Sequence, residues 1–193
     1  MNALLRAAVD VQQFCHSRGW RCCVIGGLAV LRWGEPRQTR DVDLTLVTGL
    51  GGEERFIDPL LARYRPRIPE ARQLALEHRV VLVETSDGVP LDISLAGLPY
   101  EARIVDRASP FTAGEEATVD TCSAEDLVVL KAFADRPQDW IDIESVLVRQ
   151  GAAIDRRLIM DELRPLLQLK DDDSTEPRLL VLFRRHPAVT PPV

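Results

Sequence analysis

Residues 24–44 read VIGGLAVLRWGEPRQTRDVDL. The pair Gly26 and Gly27 ends a short apolar strand predicted over residues 21–25, and one or two helical turns are expected after it. Because glycines lack Cβ atoms, they let the backbone approach a ligand closely, and the N–H groups that open a helix can bind phosphate. An ordinary strand-to-helix turn is the alternative interpretation of the same pair.

Two aspartates follow in the next predicted strand, residues 41–47, where apolar and polar residues alternate. Because residues i and i+2 of a strand share a face, Asp41 and Asp43 are expected to point the same way. Two negative charges at such a short distance repel each other, and each raises the pKa of the other carboxyl group. A bound divalent cation would offset this repulsion. A pair of aspartates that merely faces solvent on a half-exposed strand is the alternative.

A third aspartate, Asp92, lies in a later predicted strand over residues 90–95, whose other face is apolar. If this strand pairs beside residues 41–47 with both apolar faces on the core, Asp92 reaches the same polar face as Asp41 and Asp43. Three carboxylates on neighbouring strands could hold two magnesium ions about 3.5–4 Å apart.

The composition is that of an ordinary globular protein. The chain has 193 residues, a formal charge of −6 and 46% hydrophobic residues. The net negative charge disfavours binding of nucleic acid over a broad surface. No apolar run approaches the ~18–20 residues of a membrane span, and the start lacks the apolar block of a signal peptide. We therefore expect a cytoplasmic protein with no membrane contact.

The four cysteines form no C-x-x-C motif, so buried free thiols are expected rather than disulfides or a zinc site.

The pattern changes near residue 110, where Ser109-Pro110 and Gly114 mark a plausible boundary. Residues 1–110 are expected to form an α/β core, and residues 111–193 a mostly helical part.

The glycine pair, thirteen further residues and then Asp41-Val42-Asp43-Leu44 resemble the signature of the DNA polymerase beta-like nucleotidyltransferase superfamily. The local sequence is most similar to the AbiEii/AbiGii-type toxin nucleotidyltransferases. Asp92 matches the place of the third acid of that family.

A second motif resembles the downstream motif of the same family. Lys131 lies on a mainly apolar predicted helix and is followed by Arg136-x-x-Asp139-x-x-Asp142. Lys131 is one of only two lysines, and a lysine in such a place is expected to meet a phosphate or a carboxylate. Asp139 and Asp142 could instead cap their helix or pair with Arg136.

The resemblance implies an α+β fold, with a mixed β-sheet flanked by helices and a C-terminal helical part. It implies a nucleotidyltransferase that uses Mg²⁺ or Mn²⁺ to move a nucleoside monophosphate from an NTP to a hydroxyl of a tRNA, a protein or a small molecule. It also implies a toxin with a cognate antitoxin as partner. A catalytically silent module of the same fold, acting in binding or as an antitoxin, is the alternative.

The resemblance also implies roles for individual residues. Asp41 and Asp43 would bind both metals, and Asp92 would bind one metal and help to activate the acceptor. For Arg37 and Arg40, phosphate binding and neutralisation of the aspartates are both open. The residues expected to bind the nucleotide are Gly26, Gly27, Thr39, Arg40 and Lys131.

Overall fold

The computed structural model describes residues 3–113 and 117–187 of the chain. These residues form nine α-helices and seven β-strands. The helices are α1 (Ala3–Ser17), α2 (Gly26–Trp33), α3 (Glu54–Arg63), α4 (Ala71–His78), α5 (Pro99–Asp106), α6 (Ala124–Ala134), α7 (Pro137–Gln150), α8 (Arg156–Lys170) and α9 (Thr175–Arg185). The strands are β1 (Cys22–Val24), β2 (Val42–Val47), β3 (Arg65–Pro66), β4 (Val80–Glu84), β5 (Pro90–Ala96), β6 (Ser109–Ala113) and β7 (Ala117–Thr121).

All seven strands belong to one sheet, in the order β3-β4-β5-β2-β1-β7-β6. The pairs β2–β5 and β1–β7 are parallel, and the other neighbouring pairs are antiparallel. The predicted α+β class, with a mixed sheet, flanking helices and a helical C-terminal part, is confirmed.

The chain divides into two compact units. The first comprises Met1–Leu28 and Gln38–Cys122, and the second comprises Ala29–Arg37 and Ser123–Val193. The domain boundary expected near residue 110 stays a prediction, and in the structure that residue lies inside β6. Strand β6 pairs with β7, and β7 pairs with β1, so strand pairing holds this segment in the first unit.

The core of the first unit fixes which way the strands of the site face. On β2 and β5, Val42, Leu44, Leu91 and Ile93 have no exposed surface, and they join a cluster that also contains side chains of α1 and α3. A shift of one residue in either strand would turn this apolar set out of the core. The alternate residues, which include the aspartates, therefore have a fixed orientation on the opposite face.

The second unit is built from helices around its own buried side chains. Leu127, Ile143, Leu147 and Ile159 are almost completely buried, and they come from α6, α7 and α8. Ser123 caps the start of α6, since its hydroxyl accepts a hydrogen bond from the Asp126 N–H. Throughout residues 3–113 and 117–187, no helix combines the length and apolarity that crossing a bilayer requires.

Candidate active site

Asp43 and Asp92 lie side by side because β2 and β5 run parallel with these two residues in register. Asp41 immediately precedes β2. One carboxylate oxygen from each of the three residues lies within 4.8 Å of the others, and all three side chains are half-buried. In the described part of the chain, this is the one group of three or more such side chains close enough to share a metal ion.

The glycine bend lies directly against this group. Gly26 has a φ of +61°, and a Cβ atom built on it would lie 2.8 Å from the Cβ of Asp43 and closer still to its carboxylate. The amide of Ile25 donates a hydrogen bond of 2.9 Å to the carbonyl of Asp43. Because real Cβ atoms do not approach so closely, only glycine fits at position 26 while Asp43 keeps its place.

Gly27 makes a similar close approach to Thr39. A Cβ atom on Gly27 would lie 2.8 Å from the Cβ of Thr39 and closer still to its hydroxyl. That hydroxyl donates a 3.1 Å hydrogen bond to Oδ1 of Asp41. Gly27 therefore leaves room for a threonine that orients the first aspartate. Arg40, which was expected to bind the nucleotide, is exposed.

Asp92 has a partner that the sequence did not indicate. Nη2 of Arg67 donates to Oδ1 of Asp92 at 2.5 Å, and the two side chains are 27% and 32% exposed. Arg67 follows β3, in a segment that reads from sequence as a connector. Only the pairing of β3 with β4, and of β4 with β5, brings it to Asp92.

The electrostatic environment of Asp92 combines opposing effects. Burial raises the pKa of the Asp92 carboxyl, and the negative charge of Asp41 raises it further. The guanidinium of Arg67 acts in the opposite direction, and the net shift of the Asp92 pKa is upward. The charged form of this group is thus destabilised in the protein, a cost that a bound cation would offset.

Lys131 belongs to a separate ion network, inside the second unit. Its Nζ lies 2.9 Å from Asp139 and 2.7 Å from Asp142, and only 8% of its side chain is exposed. The sequence left a phosphate and a carboxylate open as partners of the Lys131 ammonium, and in the structure it pairs with two carboxylates. Asp139 also caps α7, since its other oxygen accepts a hydrogen bond from the Arg136 amide. A role of Lys131 in nucleotide binding stays a prediction.

Arg37 joins the same network through Asp142. Its Nε and Nη2 donate to the two oxygens of Asp142 at 2.7 and 2.8 Å, as a bidentate pair. Burial alone would raise the pKa of the Asp142 carboxyl. Hydrogen bonds from Arg37, Lys131 and Gln138 outweigh burial, and the pKa lies below its ordinary value.

The chain matches no protein-family model, and no curated protein is similar to it in sequence. Its structural neighbours are nucleotidyltransferases. One is an antigenic nucleotidyltransferase-like protein from Paracoccidioides brasiliensis, with 16% identity and a TM-score of 0.45, where the match covers 94% of this chain and 92% of the other.

Two further neighbours are antibiotic-modifying enzymes. The lincosamide antibiotic adenylyltransferase LnuA, bound to lincomycin, is 14% identical with a TM-score of 0.47, and the match covers 73% of this chain and 94% of the other. ANT(2")-Ia in complex with adenylyl-2"-tobramycin is 20% identical with a TM-score of 0.47, and the match covers 86% and 95% of the two chains.

Proposed function

We propose that this chain is a divalent-cation-dependent nucleotidyltransferase, which moves a nucleoside monophosphate from an NTP to a hydroxyl acceptor. The observation that carries the proposal is the convergence of Asp41, Asp43 and Asp92 against the bend at Gly26 and Gly27. Neither half of this arrangement is persuasive alone, since acidic groups and glycine turns are common. The Asp43 side chain packs directly against Gly26. The three acids therefore lie next to a helix start whose backbone N–H groups can bind phosphate.

The three carboxylates suit a hard cation. All the ligand atoms are oxygens, they converge within 4.8 Å, and magnesium and manganese prefer oxygen ligands from carboxylates and phosphates. One or two such ions held by Asp41, Asp43 and Asp92 would neutralise the triphosphate and stabilise the attacking and leaving oxygens of an in-line displacement.

The other residues of the site position the reacting groups. The N–H groups at the start of α2, next to the glycine bend, provide a place for the triphosphate. The hydroxyl of Thr39 holds the Asp41 carboxylate in one orientation. The register of β2 with β5 fixes the position of Asp43, and its side chain packs against Gly26.

The chemical step balances without a further reagent. The acceptor oxygen forms a bond to the α-phosphorus of the NTP as the bond from that phosphorus to its bridging oxygen breaks. Pyrophosphate leaves with the electron pair of that bond. In this proposal the proton of the acceptor hydroxyl passes to Asp92, the residue that the family resemblance assigns to acceptor activation.

The finer parts of the proposal are supported by the motif resemblance alone. They are an acceptor that is a tRNA, a protein or a small molecule, a role as the toxin of a toxin–antitoxin pair in the cytoplasm, and nucleotide contacts from Arg40 and Lys131. A transfer assay with each class of acceptor separates these alternatives.

That assay supplies each NTP, labelled at the α-phosphate, together with Mg²⁺ and one acceptor class at a time. We expect label to enter an acceptor whose mass rises by one nucleoside monophosphate, and EDTA to abolish the transfer. The double variant Asp41→Asn/Asp43→Asn should be inactive. Asp87→Asn, in the exposed turn between β4 and β5, is the matched control and should be active.

Equal labelling by the wild type and the double variant would contradict the proposal. A folded wild-type chain that releases no heat with any NTP and Mg²⁺ in calorimetry would also contradict it, and would favour the catalytically silent module.

A further inference from the structure

Arg67 occupies one oxygen of the third acid of the proposed metal site. Its Nη2 lies 2.5 Å from Oδ1 of Asp92, and each side chain is about a third exposed or less. An ion pair that is mostly shielded from solvent is screened less than one at the surface. Its effect on the charge of the site is therefore larger than that of an exposed arginine.

The backbone holds Arg67 at the level of Asp92. The amide of Arg67 donates a 3.1 Å hydrogen bond to the carbonyl of Leu82, and Leu82 is the register partner of Asp92 across β4 and β5. The guanidinium thus reaches Asp92 from a main-chain position that the sheet fixes.

The charges of the three carboxylates favour a cation at this place. Three carboxylates with oxygens within 4.8 Å of one another repel, and each makes ionisation of the others less favourable. Arg67 supplies one positive charge to the group. Its Nε is buried and has no hydrogen-bond partner among the described residues, so the guanidinium uses only part of its donor set.

We propose that Arg67 is a positioning residue that holds the Asp92 carboxylate in the cation-free protein and competes with a divalent cation for it. The inference rests on the proposed function, because it takes Asp41, Asp43 and Asp92 as the cation ligands. Cation binding weakens the contact between Arg67 and Asp92, and the planar fork of the guanidinium then becomes available to a phosphate of the bound nucleotide. Arg67 thereby couples occupation of the cation site to binding of the donor.

Cation affinity tests this directly, without reference to activity. Mn²⁺ is titrated into the full chain in the absence of nucleotide, and the signal of the free ion is followed by electron paramagnetic resonance. Arg67→Met removes the competitor, and we expect it to bind Mn²⁺ about 3- to 10-fold more tightly than the wild type, the effect of losing one partly shielded ion pair. Arg67→Gln is a second charge-free variant and should change the affinity in the same direction.

Arg65→Met is the matched control. Arg65 lies two residues away, pairs with Glu84 and has a side chain that is 70% exposed. The Arg65→Met substitution removes the same charge but leaves the contact with Asp92 intact, so this variant should bind Mn²⁺ with the affinity of the wild type. An equal rise in Arg65→Met and Arg67→Met would overturn the proposal, because general charge rather than the contact would then set the affinity.

The remaining outcomes separate this inference from the proposed function. If the wild type and both Arg67 variants bind Mn²⁺ equally, and Asp43→Asn abolishes binding, the role of Arg67 is wrong and the metal site stands. Weaker binding in the Arg67 variants has the same meaning, since Arg67 would then support the ligand instead of competing for it. If the wild type and the variants bind no Mn²⁺, both the metal site and the role of Arg67 are wrong.

Discussion

Asp43 and Asp92 are register partners on two parallel strands, and both carboxylates leave the same face of the sheet. Asp41 adds a third negative charge within 4.8 Å. A fold that needed these residues only for stability would gain nothing from placing like charges together, since each charge raises the cost of ionising the others. The arrangement is better explained by a ligand that carries positive charge.

The first prediction concerns the loss of one acid. Asp43→Asn keeps the size of the side chain and removes its charge. If Asp43 binds the proposed cation, its loss weakens an interaction that supplies several kcal/mol of charge stabilisation, and we expect the rate of nucleotidyl transfer to fall about 10²- to 10³-fold. The free energy of unfolding in EDTA should change by less than about 1 kcal/mol, since a repulsive charge is lost. Transfer kinetics and urea denaturation measure the two quantities, and undiminished transfer would count against the site.

The second prediction concerns the glycine bend. Gly26→Ala places a Cβ atom against Asp43 at a φ of +61°, whereas Gly19→Ala meets a similar φ of +69° with no atom within 4 Å. The backbone cost alone is about 1–2 kcal/mol, and the clash should add about 1–3 kcal/mol. Urea denaturation of the two variants compares these costs. Equal destabilisation would show that Gly26 does not pack tightly against Asp43.

The third prediction uses the only two lysines of the chain. Lys131→Met should lower the free energy of unfolding by about 3–5 kcal/mol, because Asp139 and Asp142 would keep buried charges without their ammonium partner. Lys170, whose side chain is 41% exposed, pairs with Asp172 at 3.4 Å. Lys170→Met should therefore cost less than about 1 kcal/mol. Chemical denaturation of the two proteins should give clearly different midpoints, and similar midpoints would mean that the buried network contributes little.

The fourth prediction concerns pH. The pKa of Asp142 is lower in the folded protein than its unfolded value of about 3.9. A group with a depressed folded-state pKa stabilises the fold above its unfolded pKa, and this stabilisation disappears as pH falls through the folded-state value. The difference in unfolding free energy between the wild type and Asp142→Asn should therefore be largest above about pH 5 and shrink towards pH 2. A difference that stays constant over this range would contradict the shift.

Local sequence was sufficient for the parts of the site that depend on short-range geometry. The spacing of Gly26, Asp41 and Asp43 reflects a strand, a short helix and a second strand that are close in the chain. Alternation alone predicted which faces of β2 and β5 are apolar. The position of Asp92 required one further assumption, that these two strands are neighbours, and the structure shows that they pair in parallel.

Other features depend on contacts between distant residues and gave no local signal. Arg67 sits in a Pro-containing connector and reaches Asp92 only through the pairing of three strands. Strands β6 and β7 were not predicted, because Pro110 is typical of loops and is also allowed in an edge strand. For Lys131, the apolar helix predicted an unusual partner, but its pairing with Asp139 and Asp142 required the fold of the second unit.

The central claim is that Asp41, Asp43 and Asp92 jointly hold a divalent cation next to the glycine bend. The most direct test is a crystal grown with Mn²⁺ and a non-hydrolysable NTP, in which anomalous scattering locates the ion. The account predicts an anomalous peak about 2.1 Å from oxygens of all three carboxylates, the bond length of an octahedral Mg²⁺-type site, with the triphosphate against Gly26 and Gly27. A nucleotide bound elsewhere, or three carboxylates without an ion at saturating Mn²⁺, would contradict it.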